Sequence, residues 1–151
     1  MQTIFIQIPA YRDPDLPATI RSLIDQSTHP QRLRFGICLQ LYREDPESWR
    51  PNAFPTHPYI RVDHINAHDS KGCTWARHKA QQLFQNEDFT LQIDSHMRAV
   101  SDWDEKLIET WHDCSDQMAI LSVYPNAFKQ PNKPINADYL PRITTKRFNP
   151  V

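Results

Sequence analysis

The chain has 151 residues, 39% of them hydrophobic and 23% charged, so we expect one domain with a packed core over residues 1–151. Lys and Arg number 17 against 18 Asp and Glu, a balance that gives no net field to attract nucleic acid or an anionic membrane. The three cysteines form no C-x-x-C pair and no long apolar run occurs, so we expect a reducing compartment and no membrane span.

Runs of β-branched and apolar residues recur along the chain and predict strands. The predicted strands cover residues 3–8, 34–41, 59–65, 89–93 and 118–123. Beyond the last of them, residues 125–134 are rich in proline and asparagine and are predicted to form a loop.

Helical spacing of apolar residues predicts three helices between these strands. Asp15 is expected to cap the first helix, and the second is expected to follow Gly72 and to end near Gln85. Ser101 and Asp104 have the spacing of a capping box at the start of the third.

Strands that alternate with helices predict an α/β fold with a mainly parallel sheet flanked by helices. In such sheets ligands bind outside the carboxyl ends of the strands. The chain has only two glycines, so it lacks the glycine-rich loops of dinucleotide-binding and P-loop enzymes.

Asp94 and His96 follow the predicted strand at 89–93 and are separated by one residue. A carboxylate and an imidazole at this spacing can bind one divalent cation, and the pair suits manganese. The alternative is a strand end followed by a surface histidine, because a D-x-H tripeptide often occurs by chance.

Two cations precede or begin the second predicted helix. Lys71 and Arg77 are candidates to neutralise phosphate charge that develops when a sugar leaves a nucleotide diphosphate. The alternative is that both are ordinary solvated charges.

Ala10, Tyr11, Arg12 and Asp13 lie at the carboxyl end of the first predicted strand, where an aromatic face, a cation and a carboxylate could hold a base and ribose. The alternative is that Tyr11 packs in the protein and Arg12 pairs with a nearby aspartate. Asp63, near the end of the third predicted strand, is open to the same two interpretations.

Four blocks of sequence resemble one known family. They are IFIQIPAYRDPDLPATI, RLRFGICLQ, DSKGCTWARHKAQQLF and LQIDSHMRAVSDWDEKLI. Together they are similar to the GlcNAc-transferase family that includes the cytoplasmic enzyme adding N-acetylglucosamine to hydroxyproline of an F-box adaptor protein. The resemblance covers about residues 3–128 and implies a GT-A fold and a cytoplasmic location.

The resemblance also implies a UDP-sugar donor, with UDP-GlcNAc as the expected sugar nucleotide, and an acceptor hydroxyl on a protein or glycan. It assigns Mn²⁺ or another divalent metal to Asp94 and His96, and the donor phosphates to the vicinity of Arg77. The uridine would lie against residues 10–12, with Asp63 near the base or ribose.

Trp103 and Asp104 are the catalytic candidates, because the resemblance places them on the sugar or acceptor side. The residues alone favour the alternative, in which Trp103 is a core residue and Asp104 is the partner of Ser101 in the capping box.

The sequence departs from the family pattern at three places. Lys71 stands where arginine is expected, and Ala99 where an aromatic residue is expected. Family members are longer, so we expect an incomplete domain whose exposed sheet edge favours a homo-oligomer. The alternative function is a non-catalytic module that retains the nucleotide-sugar pocket.

Overall fold

The computed structural model describes residues 1–129 and 133–134. The chain divides into two compact units, residues 1–106 and residues 107–151, which are described separately below. We call the first of these the core unit. A division by contacts does not decide whether the two fold together, so the single domain over residues 1–151 stays a prediction.

Four parallel strands form the sheet of the core unit in the order β3-β2-β1-β4. Their bounds are β1 Ile4–Tyr11, β2 Leu33–Leu41, β3 Ile60–Asn66 and β4 Phe89–Gln92. The first four predicted strands and the parallel α/β architecture are thus confirmed.

Strand β1 continues beyond residue 8, where the sequence predicted its end. Pro9 lies inside the strand, although it has no N–H to give to a neighbouring strand. Strand β4 pairs with β1 only as far as Gln7. Pro9 lies beyond this last pair, so no residue of β4 requires a hydrogen bond from it.

The described residues form three helices. They are α1 Leu16–Asp25, α2 Cys73–Gln81 and α3 Trp103–Asp113, and short 3-10 turns occupy Pro30–Arg32, Glu47–Trp49, Pro51–Ala53 and Ala67–Asp69. Helix α2 packs against β1, β2 and β3. The helix ends before the predicted Gln85. The N–H groups of Leu83 and Phe84 donate to carbonyls three residues earlier, as in a tight turn, and the Phe84 ring contacts Phe5 edge-to-face.

The core lies along β1 and β2, where nearly every side chain is buried. Small side chains let α2 approach the sheet, since Cys38 packs against Ala76 and Ala80. Gly36 serves the same contact, because a Cβ at this position would lie 2.4 Å from Cζ of Phe5.

The two predicted helix caps are wrong, because neither Asp15 nor Ser101 makes a capping hydrogen bond with its side chain. Asp15 occupies the N-cap position of α1 but makes no capping hydrogen bond, because its carboxylate accepts two from Arg98, at 2.8 and 2.7 Å. Helix α3 begins after Asp102, and Ser101 donates instead to Gln26. The Ser101 and Asp104 capping box therefore does not form.

In the second unit, the predicted strand at 118–123 is absent. Met118, Ile120 and Val123 are exposed, and the described part of the unit pairs only β5 Phe128–Lys129 with β6 Lys133–Pro134. An apolar run becomes a strand only where a partner strand accepts its hydrogen bonds. Residues 130–132 of the predicted loop lie outside the described residues.

Across the residues that the structure describes, none of the helices combines the length and the apolar character that a membrane crossing requires.

Candidate functional site

A cleft of about 510 Å³ opens at the carboxyl ends of the strands in the core unit. Its lining comprises Pro9, Tyr11, Asp13, Gln40, Ser70, Gly72, Cys73, Ala76, Asp94, Ser95 and His96. Strands β1 and β4 are neighbours in space, although two other strands lie between them in the sequence. The cleft thus lies where the strand order reverses, which is the usual ligand position in open α/β sheets.

The pleat of β1 decides which residues at the end of this strand reach the cleft. Successive side chains of a strand point to opposite faces, and Pro9 and Tyr11 line the cleft, as does Asp13 just beyond the strand. Of the predicted uridine-binding residues, Tyr11 therefore lies in the cleft, half exposed, and Ala10 is fully buried elsewhere.

Arg12 does not line the cleft, because its side chain binds the loop that follows β2. Its guanidinium donates to both carboxylate oxygens of Asp45, at 2.9 to 3.1 Å, and lies over the ring of Tyr42. These hydrogen bonds hold the pKa of Asp45 below its ordinary value. Arg12 also has a positive φ of 49°, which the backbone hydrogen bond from Arg12 N–H to Gln40 stabilises.

Asp94 and His96 both line the cleft, as the motif predicted for their position after β4. Asp94 accepts a hydrogen bond from Arg77 of α2 at 3.2 Å. His96 approaches Asp13 with its Nδ1 at 2.7 Å. The two side chains are 53% and 61% exposed, so both are accessible to a ligand.

Asp13 is the central carboxylate of this edge, and its contacts are with Ser95, His96 and the Asp15 N–H. Its Oδ2 accepts from the Ser95 hydroxyl at 2.6 Å and lies 2.7 Å from Nδ1 of His96, while Oδ1 accepts from the Asp15 N–H. Burial alone would raise the pKa of Asp13, but hydrogen bonds from Ser95 and His96 outweigh it and lower that pKa. Asp13 is therefore a carboxylate at neutral pH.

The metal-ligating side chains in the cleft are few. A carboxylate and an imidazole are a donor set that manganese accepts, and Asp94 and His96 provide one of each. In the described residues, no group of three or more His, Cys, Asp or Glu side chains is arranged to hold a metal ion. The donor chemistry of Asp94 and His96 fits a divalent metal.

The start of α2 forms one wall of the cleft. Gly72 is the N-cap residue, with a φ of 94° and no side chain to cap the helix. The first backbone N–H groups of a helix lack partners within it and carry partial positive charge. Lys71 is exposed but does not belong to the lining, although its neighbours Ser70 and Gly72 do.

Asp63 lies outside the cleft, in the middle of β3 opposite Cys38. Burial, with a contribution from the charge of Asp63, raises the pKa of the Cys38 thiol to about 11. The predicted contact of Asp63 with a base or ribose has no counterpart among the cleft residues and stays a prediction.

Trp103 and Asp104 are also outside the cleft lining, and both are buried at the start of α3. The indole of Trp103 donates to the Leu23 carbonyl at 2.9 Å. Asp104 accepts from the N–H groups of Thr28 and His29 and pairs with Arg32. Burial opposes its charge, yet these hydrogen bonds lower the pKa of Asp104. The catalytic role of Trp103 and Asp104 stays a prediction, and the contacts that both residues make here are with other parts of the fold.

The structure is that of an α/β protein with a cleft at the carboxyl edge of a parallel sheet. The family model described as Glycosyltransferase (GlcNAc) matches residues 3–59 and 52–151, so it spans nearly the whole chain. The chain belongs to this family of glycosyltransferases. Comparison with curated proteins gave no match, and neither did comparison with solved structures.

Proposed function

We propose that the cleft binds the donor of a glycosyl transfer, a UDP-sugar with UDP-GlcNAc as the expected nucleotide. The observation that carries the proposal is the meeting of Asp94, His96 and Tyr11 with the open start of α2 around one cleft. Its volume of about 510 Å³ is in the usual range for small-molecule sites, roughly 300–1,000 Å³.

In this proposal, Asp94 and His96 hold a divalent metal, with Mn²⁺ expected. Such a metal supplies Lewis acidity that offsets the negative charge developing on the departing diphosphate. Arg77 stands next to Asp94 and adds a cation at the same edge. The uncapped N–H groups after Gly72 would donate to phosphate oxygens.

Tyr11 is the proposed platform for the uracil ring. Its side chain is exposed in the cleft, and its hydroxyl lies 3.4 Å from that of Tyr42, which limits its movement. Arg12 would act indirectly, since its pairing with Asp45 fixes the loop that carries Tyr42. The acceptor in this proposal is a hydroxyl on a protein or glycan, and the location is the cytoplasm.

The test is calorimetric titration of UDP into the wild type and Asp94→Ala, with and without Mn²⁺. Asp88→Ala is the matched control, because Asp88 also accepts hydrogen bonds next to a strand but lies beside Thr3, at the opposite end of β1. We expect Mn²⁺-dependent binding in the wild type and the control, and its loss in Asp94→Ala. Equal binding by Asp94→Ala would contradict the proposed site.

A second candidate is a module that binds the nucleotide sugar without catalysis. It is favoured by the absence, among the described residues, of any group of three or more His, Cys, Asp or Glu side chains arranged to hold a metal ion. Both candidates predict UDP binding. Slow hydrolysis of UDP-GlcNAc by the wild type, abolished in Asp94→Ala, would support the enzyme, whereas binding without any turnover would support the module.

A further inference from the structure

The carboxylate of Asp13 has three polar contacts, although it lies at the edge of an accessible cleft. The Ser95 hydroxyl and the Asp15 N–H donate to it at 2.6 and 2.9 Å, and Nδ1 of His96 lies 2.7 Å away. With these contacts Asp13 has little freedom to turn toward a ligand. Its side chain is only 15% exposed, in contrast to 61% for His96.

The contact between Asp13 and His96 determines where the imidazole carries its proton. An ionised carboxylate only accepts hydrogen bonds, so the 2.7 Å contact requires a proton on Nδ1 of His96. In a neutral ring, the lone pair is then on Nε2. Among the described residues, the structure gives Nε2 no hydrogen-bond partner.

We infer that Asp13 is a positioning residue that orients His96 and fixes its tautomer, so that Nε2 is presented as a metal ligand. The inference rests on the proposed function, because it assumes that His96 binds a divalent cation. A metal-bound histidine usually donates its second ring N–H to a carboxylate or carbonyl, which orients the ring and raises its basicity. Asp13 satisfies this requirement from a position 83 residues away in the sequence.

The orientation also depends on the backbone that carries His96. The Ser95 carbonyl accepts from the buried Thr19 hydroxyl at 2.7 Å, and the Met97 N–H donates back to the same hydroxyl at 2.9 Å. Residues on both sides of His96 are therefore anchored to α1. The imidazole is held through its main chain by Thr19 and through its ring by Asp13.

The first test measures the tautomer of His96 in the metal-free wild type by ¹H–¹⁵N correlation of the ring nitrogens at neutral pH. The His96→Gln variant identifies the resonances. We expect the Nδ1–H form in the wild type, and a shift toward the Nε2–H form in Asp13→Ala. A wild-type ring that is mainly Nε2–H would overturn the inference without any variant.

The second test measures Mn²⁺ affinity in the presence of UDP for the wild type, Asp13→Ala, Asp13→Asn and Asp88→Ala. We expect about 10- to 100-fold weaker Mn²⁺ binding in Asp13→Ala. Asparagine keeps an acceptor oxygen, so Asp13→Asn should lose less, and the Asp88→Ala control should match the wild type.

The outcomes separate this inference from the function on which it rests. Wild-type affinity in Asp13→Ala would overturn the positioning role and leave the metal site standing. Absence of any Mn²⁺-dependent binding in the wild type would overturn the metal site, and the role of Asp13 toward a metal with it.

Discussion

Asp13 and Asp104 are two carboxylates that join distant parts of the chain, and they differ in what remains accessible around them. Asp13 binds Ser95 and His96, and the imidazole at the end of this contact is mostly exposed. Asp104 binds two backbone N–H groups and Arg32, and it is completely buried. The first region leaves an imidazole exposed at the cleft, whereas the second joins buried parts of the fold.

The comparison shows that the same anchoring geometry serves different purposes according to its surroundings. A fully buried carboxylate whose two oxygens accept backbone hydrogen bonds contributes to stability. A mostly buried carboxylate that contacts an exposed ring instead orients a group that solvent can reach. The two regions should therefore differ in how much their carboxylates contribute to the free energy of unfolding.

The largest expected effect on stability is that of Asp104→Ala. Removal of the Asp104 carboxylate would leave two backbone N–H groups without an acceptor. It would also leave the Arg32 guanidinium without its partner, although the Arg32 side chain is only 10% exposed. We expect the free energy of unfolding to fall by about 3–5 kcal/mol. Urea unfolding followed by circular dichroism measures it. A loss below about 1 kcal/mol would contradict a buried structural pair.

The effect of Asp104 should also depend on pH. Its pKa in the folded protein is lowered from the ordinary 3.8, so its charge stabilises the fold above that pH. The stabilisation is lost as the pH falls through the folded pKa. We expect the difference in unfolding free energy between wild type and Asp104→Ala to be constant near neutrality and to shrink below about pH 4. A difference that stays constant into acid would show that the charge of Asp104 is not responsible.

Asp94→Ala should have the smallest effect on stability. Its carboxylate is 53% exposed, and it pairs with an Arg77 side chain that is 37% exposed, so solvent screens their attraction. We expect a change within about 1 kcal/mol in the unfolding free energy, measured in the same urea titration. A much larger loss would mean that the cleft edge is built for stability, as the region around Asp104 is.

The four strands of the sheet could be predicted from the sequence, because each of them is a local run of apolar residues. The position of Asp94 and His96 at a carboxyl end followed from the same pattern. The alternation of side chains along β1 would also have separated Tyr11 from Ala10.

Other features depend on contacts that no local pattern contains. Asp104 has the spacing of a helix cap, but its partners at 28 and 29 lie some 75 residues earlier in the chain. Residues 118–123 have the composition of a strand, yet no described strand pairs with them. Gln40 lines the cleft because β2 lies beside β1, which brings it opposite Tyr11.

The proposed metal site at the carboxyl edge of the sheet consists of Asp94 and His96. It can be tested by anomalous diffraction at the manganese edge from crystals of the protein grown with Mn²⁺ and UDP. We expect a single strong peak at bonding distance from the Asp94 carboxylate and Nε2 of His96, with the Asp13 carboxylate still in contact with Nδ1. A peak on other side chains, or UDP bound in the cleft without a metal, would contradict it.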